Sequence, residues 1–290
     1  MRTLNIVGCG RAGRTFARLF AQAHAFLVQD LHDVNAAAAR SCAQFADAGR
    51  PVRHLRDLQP AQVWLIATPD DAIVDAAASL VAEGKVAPGN VVIHLSGATP
   101  SVDMAAVVEI GAHAGSVHPL KTFADPGYAA GSFAGTYVAL EGDKKALKVM
   151  RVALRKIEAR VFEIEPQNKV LYHAGSVMVC NYLTALLEAG LRCYEHAGIK
   201  LETAYKLMEP LVRETVDNVF RVGTVRSLTG PIARGDDAVV ARQMQRVRAL
   251  DRNLGVLYRE LGRVALDLSR SKGEAEARNL GKIARVLRET

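Results

Sequence analysis

One short stretch constrains this chain more than any other. Thr3-Leu4-Asn5-Ile6-Val7 is a continuous apolar run of strand length, and Gly8-Cys9-Gly10-Arg11-Ala12-Gly13 follows it at once. An Ala-rich segment of helical period, Ala12–Ala23, comes next. A GxGxxG pattern alone says little. Between a strand and a helix, it is the turn that brings a dinucleotide pyrophosphate to a helix N-terminus. Gly8 permits the tight turn, Gly10 lets the pyrophosphate approach the backbone, and Gly13 lets helix and strand pack. The helix start then offers free N–H groups and partial positive charge. Gly8, Cys9, Gly10, Arg11, Ala12 and Gly13 are therefore the expected cofactor cradle.

The next 150 residues repeat the strand–helix alternation. Strand-like runs occur at Phe26–Val28, Val63–Ala67, Val91–Leu95 and His113–Val117, with helical stretches at Asn35–Phe45, Asp71–Ala82 and Ser101–Ile110. Runs that are apolar throughout belong to a parallel sheet covered on both faces. This predicts a doubly wound, mostly parallel α/β sheet. Thr136–Leu140, a helix over Lys144–Ile157 and Arg160–Ile164 complete it. After Pro166 no strand-like run remains. One long helix over Gln167–Ala197, ended by Gly198, and further helices at Leu201–Val222, Asp237–Leu250, Arg252–Leu268 and Glu274–Leu287 predict an all-α second domain. Asp236 is the expected N-cap after the break Leu228–Asp236. The domains are thus 1–165 for the dinucleotide and 166–290 for substrate and dimerisation.

Composition excludes little but excludes it firmly. Of 290 residues, 50% are hydrophobic and 23% charged, a globular balance that rules out disordered and fibrous classes. Every apolar run long enough to span a membrane is expected to be broken by charge, and the N-terminus does not read as a secretory signal. Cys9, Cys42, Cys180 and Cys193 show no metal-ligand spacing, so no metal site is expected and a reduced, cytoplasmic setting is. The net charge is +7, concentrated in the second half. There Arg and Lys alternate with Glu and Asp, which argues for a solvated helical surface and against nucleic acid.

Candidate polar residues gather at strand ends, which border the ligand crevice of such a sheet. Asp30, twenty residues after Gly10, is expected to bond the ribose 2′-hydroxyl and favour NAD; His32 and Arg40 could instead reach a 2′-phosphate, so both cofactors stay open. Thr68 and Pro69 are expected to line the cofactor, and Asp70 to cap a helix. Past the next strands come His94-Leu95-Ser96-Gly97-Ala98 and Gly115-Ser116-Val117-His118-Pro119-Leu120-Lys121. His118 is the candidate acid/base. On the long helix Lys169, His173, Val177 and Asn181 step by four, and His173 and Asn181 are read either as hydrogen-bonded to a neighbouring helix or as turned into the cleft between the domains.

Taken in order, the glycine turn, Thr68–Ile73, His94–Ala98, Gly115–Leu120, Tyr172-His173-Ala174, Cys180–Leu183 and Leu228–Asp236 resemble Rossmann-like proteins with a DUF2520 C-terminal domain. These lie within the wider 6-phosphogluconate-dehydrogenase-like group of NAD(P) oxidoreductases. The resemblance runs from the first strand to about residue 265. It implies NADP, a helical-domain homodimer and a small hydroxy or oxo acid substrate. His118-Pro119-Leu120 is similar to the His-Pro-Met segment of prephenate dehydrogenases, where the histidine contacts the reacting hydroxyl. Asn181 matches the asparagine of the Lys-x-x-x-Asn motif of β-hydroxyacid dehydrogenases, whose lysine position is Val177 here. That leaves His118 and His173 as proton carriers, Asn181 beside them, and Ser96, Lys121 and Arg234 for the substrate. Two other readings stay in view: an NADP-binding sensor or scaffold without turnover, and basic helices on nucleic acid.

Overall fold

The structure is a computed structural model that describes residues 1–288. The chain packs as two units, Met1–Val179 and a second from Cys180 onward.

The first unit is built on eight strands: β1 (Thr3–Val7), β2 (Leu27–His32), β3 (Arg50–Val52), β4 (Val63–Ile66), β5 (Val91–His94), β6 (His113–Pro119), β7 (Tyr137–Gly142) and β8 (Arg160–Glu163). Their order is β3-β2-β1-β4-β5-β6-β7-β8. Every pairing is parallel except β6 with β7. This is the Rossmann-like, doubly wound sheet expected from the apolar runs. Its helices are α1 (Arg11–Gln22), α2 (Ala36–Ala46), α3 (Ile73–Ala82), α4 (Ala105–Glu109), α5 (Pro126–Gly131), α6 (Lys144–Lys156) and α7 (Lys169–Val179).

β4 shows why central strands read as unbroken apolar runs. Its residues alternate between faces, and both faces are covered. Val63 and Leu65 join one core with Phe16, Phe20, Ile93 and Leu140, while Trp64 and Ile66 join the other with Leu80, Val92 and Val107. The strand missed by sequence, β3, has three residues including Pro51 and lies at the sheet edge, where a proline leaves no ladder bond unmade.

Among its described residues the second unit is built of helices: α8 (Asn181–His196), α9 (Leu201–Val222), α10 (Thr224–Ser227), α11 (Gly230–Arg234), α12 (Asp237–Leu250), α13 (Arg252–Lys272) and α14 (Ala277–Val286). Val240, Leu266, Leu280, Ile283 and Leu287 form its core.

Four expectations change. The single helix Gln167–Ala197 is two, interrupted at one residue, Cys180 (φ −115°, ψ −68°), between α7 and α8. The expected boundary at 165/166 moves with it: α7 packs with the sheet unit, held there by Lys169. Asp236 stands at the N-cap position of α12 as expected, but its carboxylate makes no capping hydrogen bond and pairs with Arg234 instead. Finally, charges do not interrupt every long apolar run. Val170–Leu187 holds no Asp, Glu, Lys or Arg. The segment Pro166–His196 contains an 18-residue window of mean hydropathy 1.4, long and apolar enough to cross a membrane by length and composition. None of that window is buried.

Candidate functional site

The glycine turn has the geometry its spacing predicts. Gly8 has φ +99°, and a Cβ there would stand 2.5 Å from the Ala67 carbonyl. A Cβ on Gly13 would collide with the Gly8 carbonyl oxygen, whereas one on Gly10 would meet nothing within 4 Å. Two glycines thus serve packing and the third leaves open space. Gly10 caps α1 without any side-chain hydrogen bond, so the first-turn N–H groups of α1 have no side-chain acceptor. That is the state in which a helix start receives an anion. Just after β4, the Thr68 hydroxyl is buried without a partner, while Pro69 is exposed.

The acid beside this turn is not Asp30. Asp30 is fully buried and its carboxylate is taken up: Arg50 Nε and Nη2 donate to it at 2.9 and 3.0 Å, and the Gln59 amide donates at 2.7 Å. It fastens β2 to β3, and none of it is exposed where a ribose could reach it. His32 is corrected likewise, buried with Nδ1 3.1 Å from the Val52 carbonyl. The acid at the end of β2 is Asp33. Its Oδ2 accepts the Cys9 amide at 2.7 Å and its Oδ1 the Asn35 amide at 2.8 Å. Each oxygen keeps a further acceptor direction. Asn35 caps α2 as expected, its side chain accepting from the Ala37 amide.

A second group of side chains lies beyond β5 and β6. His118 is partly buried near the end of β6, and its Nδ1 is 2.8 Å from the Tyr172 hydroxyl of α7. The His118 and His173 rings pack edge to face, centroids 5.4 Å apart. Both rings converge on Gly97: a Cβ there would collide with His173 Nδ1 and stand 2.6 Å from His118 Nε2. His173 Nδ1 is buried without a partner. Burial, and then the neighbouring His173 and Lys169, push the His118 pKa down to about 4, so its ring is neutral at pH 7. His94 is fully buried; burial and Lys169 push it down to about 3. Its Nδ1 accepts the Ser96 amide at 3.2 Å and its Nε2 has no partner.

Ser96 is corrected from a substrate ligand to a turn organiser. Its hydroxyl donates to Asp70 at 2.7 Å and accepts the Ala98 and Thr99 amides at 3.0 and 2.9 Å. Asp70 therefore caps no helix. Lys121 gives one N–H to the Ser132 carbonyl at 2.8 Å and keeps two. In the second unit, Arg234 pairs with Asp236 at 3.0 Å, and Asn181 is the exposed first residue of α8.

Beneath the histidines lies a network that sequence reasoning missed. Lys169 is fully buried and donates to Ser116 Oγ and to Glu141 Oε1, the latter at 2.8 Å. Glu141 also accepts the Ser101 amide and hydroxyl at 2.8 and 2.7 Å. Ser116 faces Glu141 across the antiparallel β6–β7 register and donates to the Ser96 carbonyl at 3.2 Å. The signals were present: an acid at the end of an apolar strand, and a lysine immediately before eighteen uncharged residues.

The first unit is thus a Rossmann-like domain with an open helix start after β1 and a partly buried histidine pair beside Gly97, which follows β5. Residues 136–265, from the start of β7 into α13, match the model of the family described as Domain of unknown function (DUF2520). The resemblance read from the motifs holds over that segment, which contains Glu141, Lys169, Tyr172 and His173. Among solved structures, a Thermotoga maritima protein, TM1727, is similar at 23% identity, covering 93% of this chain and 99% of that one with a TM-score of 0.71. A Bacteroides fragilis protein provisionally described as an NADP oxidoreductase is similar at 21% identity, with 94% and 98% coverage and a TM-score of 0.71. The imine reductase from Myxococcus stipitatus, in complex with NADP+, is similar at 16% identity, with 97% and 99% coverage and a TM-score of 0.64. At these identities the likeness is one of fold. No curated protein matches the chain.

Proposed function

We propose that this protein is a nicotinamide-dinucleotide oxidoreductase acting on a small oxo or hydroxy acid. One observation carries the reading. Two imidazole nitrogens, one of them buried without a partner, converge on a glycine at the strand ends of the same unit that carries the strand–GxGxxG–helix turn. The fold shared with an NADP-bound imine reductase supports the cofactor class.

In this reading the α1 N-terminus and the open face of Gly10 hold the pyrophosphate, and Thr68 lines the cofactor. When bound, the nicotinamide supplies the hydride chemistry. His118 and His173 hold the substrate oxygen between them. His118 exchanges the proton with that oxygen, and Lys121 keeps two N–H donors for the acid's carboxylate. Asp33 replaces Asp30 as the residue that reads the adenosine ribose. A carboxylate accepts from a 2′-hydroxyl and repels a 2′-phosphate, so Asp33 favours NAD, against the NADP that the resemblance implies.

The expected homodimer stands as part of this proposal. Val170, Leu171, Met178 and Val179 are exposed on α7, and in the second unit Tyr205, Leu211 and Phe220 are exposed on α9. A second copy would cover such surface. A mass near 31.2 kDa by light scattering at micromolar protein would remove this part.

Calorimetric titration with NAD+ and NADP+, followed by an absorbance assay of the reduced nicotinamide with 2-oxo and 3-oxo acids, tests the whole. Absence of saturable binding of either dinucleotide would overturn it.

A further inference from the structure

Tyr172 has no part in the chemistry described so far, yet it makes the one hydrogen bond of the His118 ring. Its hydroxyl lies 2.8 Å from His118 Nδ1, and the two rings meet edge to face with centroids 5.5 Å apart. Phe162 of β8 packs against the far side of Tyr172 at 6.1 Å between centroids. The phenol is therefore held by ring contacts from two strands, on a helix tied down three residues earlier by buried Lys169. The other nitrogen, Nε2, points at the space beside Gly97 where His173 Nδ1 stands unpartnered.

A phenol and a neutral imidazole can share this bond in two ways. Either the phenol donates to Nδ1, or an Nδ1–H donates to the phenol oxygen. The two choices give His118 opposite characters at the site, because a neutral imidazole carries one hydrogen. In the first, Nε2–H points at Gly97 and the ring is a donor. In the second, Nε2 is a bare acceptor.

We propose that Tyr172 is a positioning residue that donates to His118 Nδ1 and so presents Nε2–H as a hydrogen-bond donor into the site. The strength of the phenol as a proton holder agrees: burial pushes the Tyr172 pKa up to about 12, while His118 stays neutral. The consequence deepens the proposed function, on which it rests, by assigning its direction. A donor aimed at the substrate heteroatom stabilises negative charge that develops there, which suits reduction of a C=O or C=N group rather than removal of a proton from a hydroxyl. The proton balance closes with one proton drawn from water. As the heteroatom gains its electron pair, the Nε2–H bond breaks and a new bond to that hydrogen forms. Nδ1 takes the Tyr172 proton in the same movement, which avoids an imidazolate. Water then protonates Nε2 and Nδ1 returns its hydrogen to the phenolate, which restores Tyr172 and the Nε2–H form.

The test needs neither cofactor nor substrate. Nitrogen-15 NMR of the imidazole groups, with His118 assigned through His118→Asn, reports which ring nitrogen carries the hydrogen. Wild type at pH 7 is expected to show protonated Nε2 and unprotonated, hydrogen-bonded Nδ1. Tyr172→Phe is expected to move the Nδ1 resonance to that of a free acceptor and to let the Nδ1–H form appear. It should also lower kcat about tenfold or more with KM little changed. A wild-type ring protonated at Nδ1, or a His118 spectrum unmoved by Tyr172→Phe, would overturn the assignment. Failure to bind a dinucleotide would remove the proposed oxidoreductase and its direction, while leaving the tautomer measurement to stand or fall alone.

Discussion

The ammonium of Lys169, which begins α7, lies 2.8 Å from the carboxylate of Glu141 in β7, and neither side chain reaches water. Two buried charges are tolerated because hydrogen bonds replace much of their lost water: Ser116 takes another Lys169 N–H, and Ser101 gives Glu141 two hydrogen bonds. Removing one partner strands the other charge. Lys169→Met is expected to destabilise the first unit by about 3–5 kcal/mol, and Lys169→Met with Glu141→Leu by less than the single change. Trp64, the chain's one tryptophan, is buried in that unit's sheet, so its fluorescence in a urea titration reports the effect. A double variant as unstable as the single would show that the pair is not what holds α7.

The same burial makes stability depend on pH. The folded-state pKa values of His94 and His118 lie at about 3 and about 4, below their unfolded value of 6.5. Between pH 6.5 and 4 the unfolded chain binds more protons at both sites, so stability rises with pH across that window. The loss begins as pH falls through 6.5, each imidazole contributing up to about 1.4 kcal/mol per pH unit. Urea midpoints at three pH values, compared with His94→Asn and His118→Asn, measure it. A flat wild-type profile would show that the two rings are not held neutral.

Much of the architecture was legible because it depends on short-range patterns. Apolar runs marked β1, β4, β5 and β6 within a residue or two, and caps and periods marked α9 and α12. Polar partnerships were not legible, because they are made across sequence. Asp30 looked like the ribose acid by spacing, and only the sheet order reveals Arg50 on the adjacent strand β3. Ser96 looked like a ligand until the fold brought Asp70 to its hydroxyl. The buried Lys169 was passed over as the first step of a helical stripe, since nothing local shows that β6 and β7 supply its acceptors.

The three glycines of the turn should separate into two kinds. Gly13→Ala places a methyl against the Gly8 carbonyl and is expected to lower stability before any ligand is added. Gly10→Val meets no protein atom within 4 Å at Cβ, so it is expected to fold like wild type and lose dinucleotide affinity. Thermal unfolding and calorimetry on the two variants make the comparison. Micromolar binding unchanged in a folded Gly10→Val variant would show that the dinucleotide is held elsewhere.

Asp33 and Asp30 make a matched pair for cofactor choice. Asp33→Ser is expected to shift the NAD+/NADP+ affinity ratio toward NADP+ by at least tenfold, about 1.4 kcal/mol. Asp30→Asn leaves Arg50 and the Gln59 amide poorly matched, so it is expected to lower stability and leave that ratio unchanged. Side-by-side titrations decide it. A ratio that follows Asp30 instead would return the ribose to the buried residue.

The histidines offer the sharpest test of the proposed chemistry, because Gly97 allows the space between them to be filled without substituting either. Its added methyl would collide with His173 Nδ1 and stand 2.6 Å from His118 Nε2. Gly97→Ala is therefore expected to abolish turnover while dinucleotide affinity at the glycine turn stays near wild type. His118→Asn removes the group that shares a proton with the substrate oxygen and is expected to lower kcat by roughly 10²-fold or more. His173→Asn, which holds that oxygen from the other side, should act more on KM. These assignments predict a particular pattern in a substrate titration of all three variants. If the kcat loss belongs to His173 and the KM change to His118, the proton is handled from α7, and the histidine at the end of β6 only binds.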